Sequence, residues 1–532
     1  MAAARRLLVT MIAVGSGVAL SLPSLPAAAV SSGGHAGSLV VHTDRGAVRG
    51  VRADGVDSFL GVRYAAPPVG ALRWRPPQPA DPWPGVLPAD QFGNRCPATA
   101  STNGPRSETE DCLFVNVQRP IGVRPGDKRP VYVFIHGGGF QNGSSNQADM
   151  RQLVALTGVI GVSLNYRLGV LGFLALPGLT AEGGESGNYG LMDQQAALRW
   201  VQRNIAAFGG DPHQVTVGGE SAGAFSVCVH LVAPGSAGLF AQAMLQSGSC
   251  PSQTEAQAEA IGSGIAAAVG CTDPATQVAC LRGTPVGTLL DAGYPGIPLP
   301  VRGTPFLPPD PRAAIAAGRF TRVPVVIGAN RDEGRTFTQG FIGWTEAQYV
   351  AWVRATYGAA ADAVLAHYPW PATSDQFTAA YLAGAAFTDS GLAVGIGGCT
   401  NRLLTQDLAR YTTVYAYQFD HRTGSGLTPI PGYVWGAGHA AELAYLFPSF
   451  DNGTPIAPTF NAGERRLAAE MKRYWAAFAL TGTPQVPGQA RWPRYNVGAE
   501  TLSLRAGGRS VAISDGIVSA EHQCAFWDPL IS

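Results

Sequence analysis

Apolar positions along this chain fall into two textures. The segment "LVVHTDRGAVRGV" alternates short apolar and polar stretches, a period near two that predicts small antiparallel strands. Further on, "PVYVFI", "GVIGVSL", "HQVTVGG", "AQAMLQSG", "VPVVIGAN" and "TTVYAYQF" are apolar almost throughout. They are separated by segments such as "LMDQQAALRWVQRNIAAF" and "GERRLAAEMKRYWAAFAL" that read as helices. Strands apolar on both faces and joined through helices predict an α/β fold, with a central, mostly parallel sheet flanked by helices on both faces. Sites in open α/β sheets form at the carboxyl ends of the strands. The chemistry is therefore expected immediately after these runs.

The first thirty residues follow a different rule. "MAAARRLLVTMIAVGSGVALSLPSLPAAAV" has Arg5 and Arg6, then an apolar run, then Ala27, Ala28 and Ala29. This order predicts a secretory signal over residues 1–29, a flexible segment over 30–38 and a single catalytic domain over 39–530. A membrane anchor is the alternative, but Gly, Ser and Pro break the run and it ends in an A-x-A site. The longer apolar region "LVALTGVIGVSLNYRLGVLGFLALPG" is interrupted by Asn165, Tyr166 and Arg167, so it reads as buried strands and turns, and no integral membrane contact is expected after signal cleavage. A formal net charge of +1 without any basic run gives nucleic-acid binding no electrostatic footprint. Eight cysteines without paired CxxC spacing point to disulfides rather than zinc. Cys96 with Cys112 and Cys271 with Cys280 would close short local loops, and Cys399 with Cys524 would tie the C-terminal end to the body. Cys228 and Cys250 are left open, paired or buried as thiols.

Two serines compete for attention. Ser221 sits in Gly219-Glu220-Ser221-Ala222-Gly223, after the strand "HQVTV" and before the helical "AGAFSVCVHLV". A sharp strand-to-helix turn needs small neighbours and exposes the serine, the arrangement of a nucleophile elbow. Ser186, in the similar "GGESGN", has Asn188 where the second glycine should be and no strand leading into it. After the run ending at Ile135 come His136, Gly137, Gly138, Gly139 and Phe140, whose unobstructed N–H groups suit an oxyanion. A phosphate loop is the other use of such glycines, but no G-K-[ST] follows. A serine nucleophile needs a base oriented by a carboxylate. Asp332 and Glu333 follow "VPVVIGAN", and His439 lies in the glycine-rich "VWGAGHAAELAYLF". His230, His367, His421 and His522 also follow Ser221, with His421, just past a strand, the best rival.

These residues resemble the type-B carboxylesterase and cholinesterase family of α/β-hydrolases. The likeness runs through "GVRYAAPPVGALRW", "TEDCLFVNV", "HGGGF", "NYRLGVLGF", "GNYGLMDQQAALRWVQRNIAAFGGDPHQVTVGGESAG", "QSGS" and "IGANRDEG". The resemblance implies Ser221 as nucleophile, Glu333 as acid and His439 as base, with the N–H groups of Gly138, Gly139 and Ala222 as oxyanion donors. It implies Glu442 and Ser247 behind the triad, the bridges Cys96–Cys112, Cys271–Cys280 and Cys399–Cys524, and buried pairs Arg73–Glu110 and Arg167–Asp193. No metal or organic cofactor is implied. Cholinesterases hold a quaternary ammonium on a tryptophan of the first disulfide loop. Here that loop, "PATASTNGPRSETED", has no aromatic residue, so a choline ester is not expected to be preferred. The expectation is a secreted serine carboxylesterase acting on a small-molecule or lipid ester. A lipase or sterol-ester hydrolase working at interfaces is the alternative within enzymes, and a non-catalytic adhesion module on the same fold is the alternative outside them.

Overall fold

The computed structural model describes residues 39–391, 395–427, 430–450 and 455–531. The signal and the flexible segment expected over 1–38 lie outside the described residues. An eleven-stranded sheet dominates. From one edge its strands run Val511–Ser514, Glu500–Leu504, Val414–Phe419, Val325–Asn330, Gln242–Gln246, Gly210–Glu220, Arg129–Ile135, Ile160–Leu164, Phe114–Pro120, Val56–Arg63 and Val51–Ala53. The stretch from Glu500–Leu504 to Ile160–Leu164 is parallel, whereas the strands outside it at both ends pair antiparallel. All six all-apolar runs are strands of this parallel part.

Why those runs carry no polar face is visible in the packing. Along Arg129–Ile135, Val131, Val133 and Ile135 join one core while Tyr132 and Phe134 join another. The same alternation divides Val325 and Ile327 from Val326, and Val414 and Ala416 from Tyr415 and Tyr417. The first core is closed by Leu198 and Val201 of helix Tyr189–Asn204 and by Val227 and Leu231 of helix Ala222–Val232. The second is closed by Leu467, Met471, Trp475 and Phe478 of helix Ala462–Thr481. Each strand thus has a helical layer on both sides, and a polar residue on either face would be buried without a partner.

The N-terminal alternating segment divides between two sheets. Val40–His42 pairs antiparallel with Ala47–Arg49 in a small sheet, to which Val86–Pro88 adds in parallel, while Val51–Ala53 edges the large one. Four disulfides join Cys96–Cys112, Cys228–Cys250, Cys271–Cys280 and Cys399–Cys524. The pair left open by the sequence, Cys228 and Cys250, ties the helix Ala222–Val232 to the loop beyond strand Gln242–Gln246. Arg73 grips Glu110 through two hydrogen bonds of 2.8 and 2.6 Å, and Arg167 grips Asp193 through two of 2.7 Å. Such buried pairs hold position, since removing one partner strands the other charge. Among the described residues no helix is long and apolar enough to cross a membrane.

The parallel strands end level. Ile135 lies beside Gly219, Glu220 beside Gln246, Gln246 beside Gly328 and Asn330 beside Phe419. Whatever follows each strand therefore converges on one edge of the sheet.

Candidate active site

Ser221 connects strand Gly210–Glu220 to helix Ala222–Val232 with φ 57° and ψ −124°, a conformation that L-residues rarely adopt. The flanking glycines make this turn possible. A Cβ on Gly219 would stand 2.4 Å from the Gly223 carbonyl, and one on Gly223 would stand 2.1 Å from the Ile135 oxygen. The pentapeptide is thus a packing requirement, with its two glycines pressed against each other and against the neighbouring strand. The Ser221 N–H donates to the Gln246 carbonyl at 2.9 Å, which fixes the turn to the next strand. Ser186 is placed quite differently. Its buried hydroxyl accepts from the Leu176 N–H at 3.2 Å and bonds Thr180 Oγ1 at 2.8 Å, so it ties down a loop.

The glycine loop lies against this elbow, and a Cβ on Gly137 would come 3.0 Å from Ser221 Cβ. Gly138 and Gly139 have φ 104° and 62°. Their N–H groups donate to no protein acceptor among the described residues. Ala222 is the first residue of its helix, where N–H groups lack an intrahelical acceptor.

Just beyond strand Val325–Asn330 the chain winds into a 3₁₀ turn, Glu333–Thr336, and sends its two adjacent carboxylates apart. Glu333 is fully buried. Its Oε2 bonds His439 Nδ1 at 2.6 Å, and its Oε1 accepts the Asn330 N–H at 2.6 Å. Asp332 instead accepts two hydrogen bonds of 2.8 Å from Arg422 and one of 2.9 Å from the Ala437 N–H. Burial would raise the Asp332 carboxyl, but these donors and the charge of Arg335 outweigh it and hold it below its ordinary value.

The rival histidines are all occupied elsewhere. His421 Nε2 meets Glu464 at 2.9 Å, His230 bonds Ser236 and Gln194, His367 bonds Gln523, and His522 bonds Asp389 and Gln418. None of them lines the pocket that holds Ser221 and His439.

Glu442 and Ser247 sit under this arrangement. The side-chain amide of Asn330 donates to Glu442 Oε2 at 2.6 Å and to the Gly438 carbonyl at 2.8 Å, and Gln246 donates to Glu442 Oε1 at 3.2 Å. Asn330 therefore links Glu442 to Glu333 through its own backbone and side chain. Ser247 is buried at φ 51°, with its N–H on the Gly328 carbonyl at 2.8 Å.

One residue of the site escaped the reading of the sequence. Glu220, immediately before the serine, is buried and places Oε1 3.1 Å from His439 Nε2. A signal was available, since Glu220 is the carboxylate that follows the uncharged run from Gln214 to Gly219, at the edge where the motifs gather. Burial pushes Glu220 up to about 8, against the pull of His439 and with help from Glu442 and Glu333. Burial and the charge of Glu333 likewise push Glu442 up to about 7. For His439, burial alone would depress the imidazole, but Glu220 and Glu333 outweigh it and raise the ring to about 9.

The pocket over these groups encloses about 240 Å³. Phe134, Phe225, Leu427, Leu443, Phe447 and Phe450 line one part of it, and Thr102, Asn103, Asn142 and Gln147 line another. Thr102 and Asn103 come from the loop closed by Cys96 and Cys112. Asn103 is fixed by a 2.6 Å bond to Asn142 and a 3.2 Å bond from Gln147.

The profile of the carboxylesterase family matches residues 37–527. The chain is 36% identical to fumonisin B1 esterase of Sphingopyxis macrogoltabida over 91% of its own length and 89% of that enzyme's. It is 34% identical to acetylcholinesterase of Bungarus fasciatus over 93% and 87% of the two chains. To the medium-chain fatty acyl-CoA hydrolase precursor of Anas platyrhynchos it is 32% identical over 90% of each. With the α/β-hydrolase sheet, the strained serine and a match spanning nearly the whole chain, this protein belongs to the carboxylesterase family and is a carboxylic-ester hydrolase.

Proposed function

We propose that the protein is a secreted serine carboxylesterase that works through an acyl-enzyme, with Ser221 as nucleophile, His439 as base and Glu333 as the carboxylate that orients it. The observation that carries this reading is the 2.6 Å bond between Glu333 and His439 Nδ1, with His439 and Ser221 lining one pocket. His439 takes the Ser221 proton as Oγ bonds the ester carbonyl carbon. The carbonyl π pair moves to oxygen, and the N–H groups of Gly138, Gly139 and Ala222 receive the oxyanion. The pair then returns, the carbon–oxygen bond to the alcohol breaks, and His439 delivers its proton to the leaving oxygen. Water repeats the sequence on the acyl-enzyme, releasing the acid and restoring Ser221. Glu333 stabilises the imidazolium at Nδ1, and Glu220 adds a carboxylate beside Nε2.

The pocket bears on the substrate. Its volume lies below the ~300–1,000 Å³ of typical small-molecule sites, which favours compact esters. The first disulfide loop contributes Thr102 and Asn103 rather than an aromatic ring, which favours a neutral alcohol group over a quaternary ammonium. Export to an oxidising compartment is supported by the four disulfides. Organophosphate labelling followed by peptide mapping tests the nucleophile, and a label on a serine other than Ser221 refutes it. Initial rates on p-nitrophenyl esters of rising acyl length test the pocket, with kcat/KM expected to peak at short chains.

A further inference from the structure

Helix Ala462–Thr481 carries buried charges along its length, and they are not treated alike. Glu464 meets His421 at 2.9 Å and Glu470 meets Arg466 at 2.9 Å. Lys472 is only 5% exposed, yet among the described residues it has no carboxylate partner. Its Nζ reaches only the neutral amide of Gln152, at 3.3 Å, on the facing helix Arg151–Thr157. The acidic groups near that helix are already taken, because Arg151 pairs with Asp149 at 2.6 Å and with Asp54 at 2.6 Å. A buried ammonium without a counter-charge is costly, and folded proteins ordinarily pair such groups. With no compensating charge, burial lowers the Lys472 ammonium to about 8.

The lysine is not enclosed by packing. It lines a groove of about 700 Å³ between the two helices, well within the ~300–1,000 Å³ range of small-molecule sites. The other walls are apolar, with Ala155, Leu156, Ala468 and Phe460 prominent, and Leu156 is exposed. Arg465 stands on the same face as Lys472, two helical turns away, and likewise has no carboxylate partner among the described residues. This groove is separate from the catalytic pocket. The segment between them lines the pocket with Leu443, Phe447 and Phe450 and the groove with Ala444 and Pro448.

We propose that this groove is a second binding site, for an aliphatic carboxylate whose headgroup pairs with Lys472 and whose chain lies along Ala155, Leu156, Ala468 and Phe460. One buried ammonium matches one carboxylate, and Arg465 at the rim makes the entrance positive. The apolar walls offer a highly charged anion such as a nucleotide little to bond with, whereas they suit methylenes.

The test is calorimetric titration of hexanoate, octanoate, decanoate and octan-1-ol into protein whose catalytic pocket has been filled by a covalent organophosphate. Octanoate is expected to bind saturably at one site, with affinity rising up to about fourfold per added methylene. Octan-1-ol is expected to bind at least about tenfold more weakly, the equivalent of losing one charge-assisted hydrogen bond. Lys472→Met is expected to weaken octanoate by about tenfold or more while filling the same volume. Ala155→Trp, at an exposed position, obstructs the groove without disturbing the core and is expected to do the same. The readout is heat and not turnover, so failure here is distinguishable from failure of the Ser221 assignment, which the label would report. Octan-1-ol binding as tightly as octanoate, or octanoate binding unchanged in Ala155→Trp, overturns the proposal.

Discussion

Three buried histidines among the described residues lie against a buried carboxylate, and His439 and His522 share the contact at Nδ1. His439 Nδ1 meets Glu333 at 2.6 Å; His522 Nδ1 meets Asp389 at 2.9 Å. They diverge at the second nitrogen. His522 Nε2 is taken up by the side chain of Gln418 at 3.0 Å, and Asp389 also accepts the Tyr368 hydroxyl at 2.6 Å. His439 instead lines the same pocket as Ser221, and Glu220 Oε1 lies 3.1 Å from its Nε2. A histidine held by a carboxylate is therefore a structural strut when both nitrogens are bonded inside the protein. In the proposed mechanism the second nitrogen of His439 is the one that exchanges a proton with the reacting group.

The strongest way to break this comparison is to remove each ring. His439→Ala and Ser221→Ala are expected to lower kcat on p-nitrophenyl acetate by about 10⁴ or more. His522→Gln should leave kcat within a few-fold and lower urea stability by about 1–3 kcal/mol, the cost of unsatisfied buried partners. If His522→Gln abolishes turnover in folded protein, the distinction is wrong.

The next test separates two neighbours along the chain. Glu333→Gln should reduce kcat by about 10² to 10⁴ with native circular dichroism, because the imidazolium loses its stabiliser. Asp332→Asn breaks a pair with Arg422 and should cost stability while leaving turnover near that of the parent. The reverse ranking in steady-state rates would exchange their roles.

The tether near the second histidine offers a smaller effect. Cys399–Cys524 closes a loop with a sequence separation of 125 and lies beside His522, whose carbonyl is 3.2 Å from Cys399 Sγ. Replacing both cysteines by serine should lower stability by about 2–4 kcal/mol while the folded fraction keeps its kcat. Parallel denaturation and active-site titration measure the two quantities.

The smallest expected change is in the pH profile. The base must be neutral, and neighbouring carboxylates raise His439 to about 9, so more of it is protonated at neutral pH than for a histidine near the ordinary ~6.5. kcat/KM should accordingly climb with pH well above 6.5. Glu220→Gln removes one negative neighbour, makes the ring easier to deprotonate and should move the acid limb about one unit lower. An upward movement would mean that Glu220 acts on His439 in some other way than through its charge.

Much of this was legible along the chain. Runs of apolar residues marked the parallel strands because both faces are buried there, and the elbow and glycine loop were legible because their geometry is set by residues within a few positions of one another. The antiparallel strands Val56–Arg63 and Phe114–Pro120 were not singled out by the same pattern. Each mixes polar residues into its burial, and Asn116 and Gln118 are buried only because Ser145, Ser163, Ser58 and Asp149 accept their bonds.

By itself the sequence determined which serine could occupy a strained turn, since Gly219 and Gly223 leave room that Asn188 denies to Ser186, and it determined that the N–H groups of the glycine loop would be bare. Its residues offered Asp332 and Glu333 as carboxylates, and resemblance implied Glu333 as the acid and His439 as the base. Only the tertiary structure decided how these groups meet. The Glu333–His439 bond spans 106 positions, Asn330 reaches Glu442 across 112, and the contact of Glu220 with His439 depends on both being delivered to the same sheet edge. The pairing of Cys228 with Cys250 and the isolation of Lys472 were decided in the same way. Local pattern fixes backbone shape because its forces act between near neighbours. Partners and protonation depend on which distant charges burial brings within a few ångströms, and no stretch of sequence carries that distance.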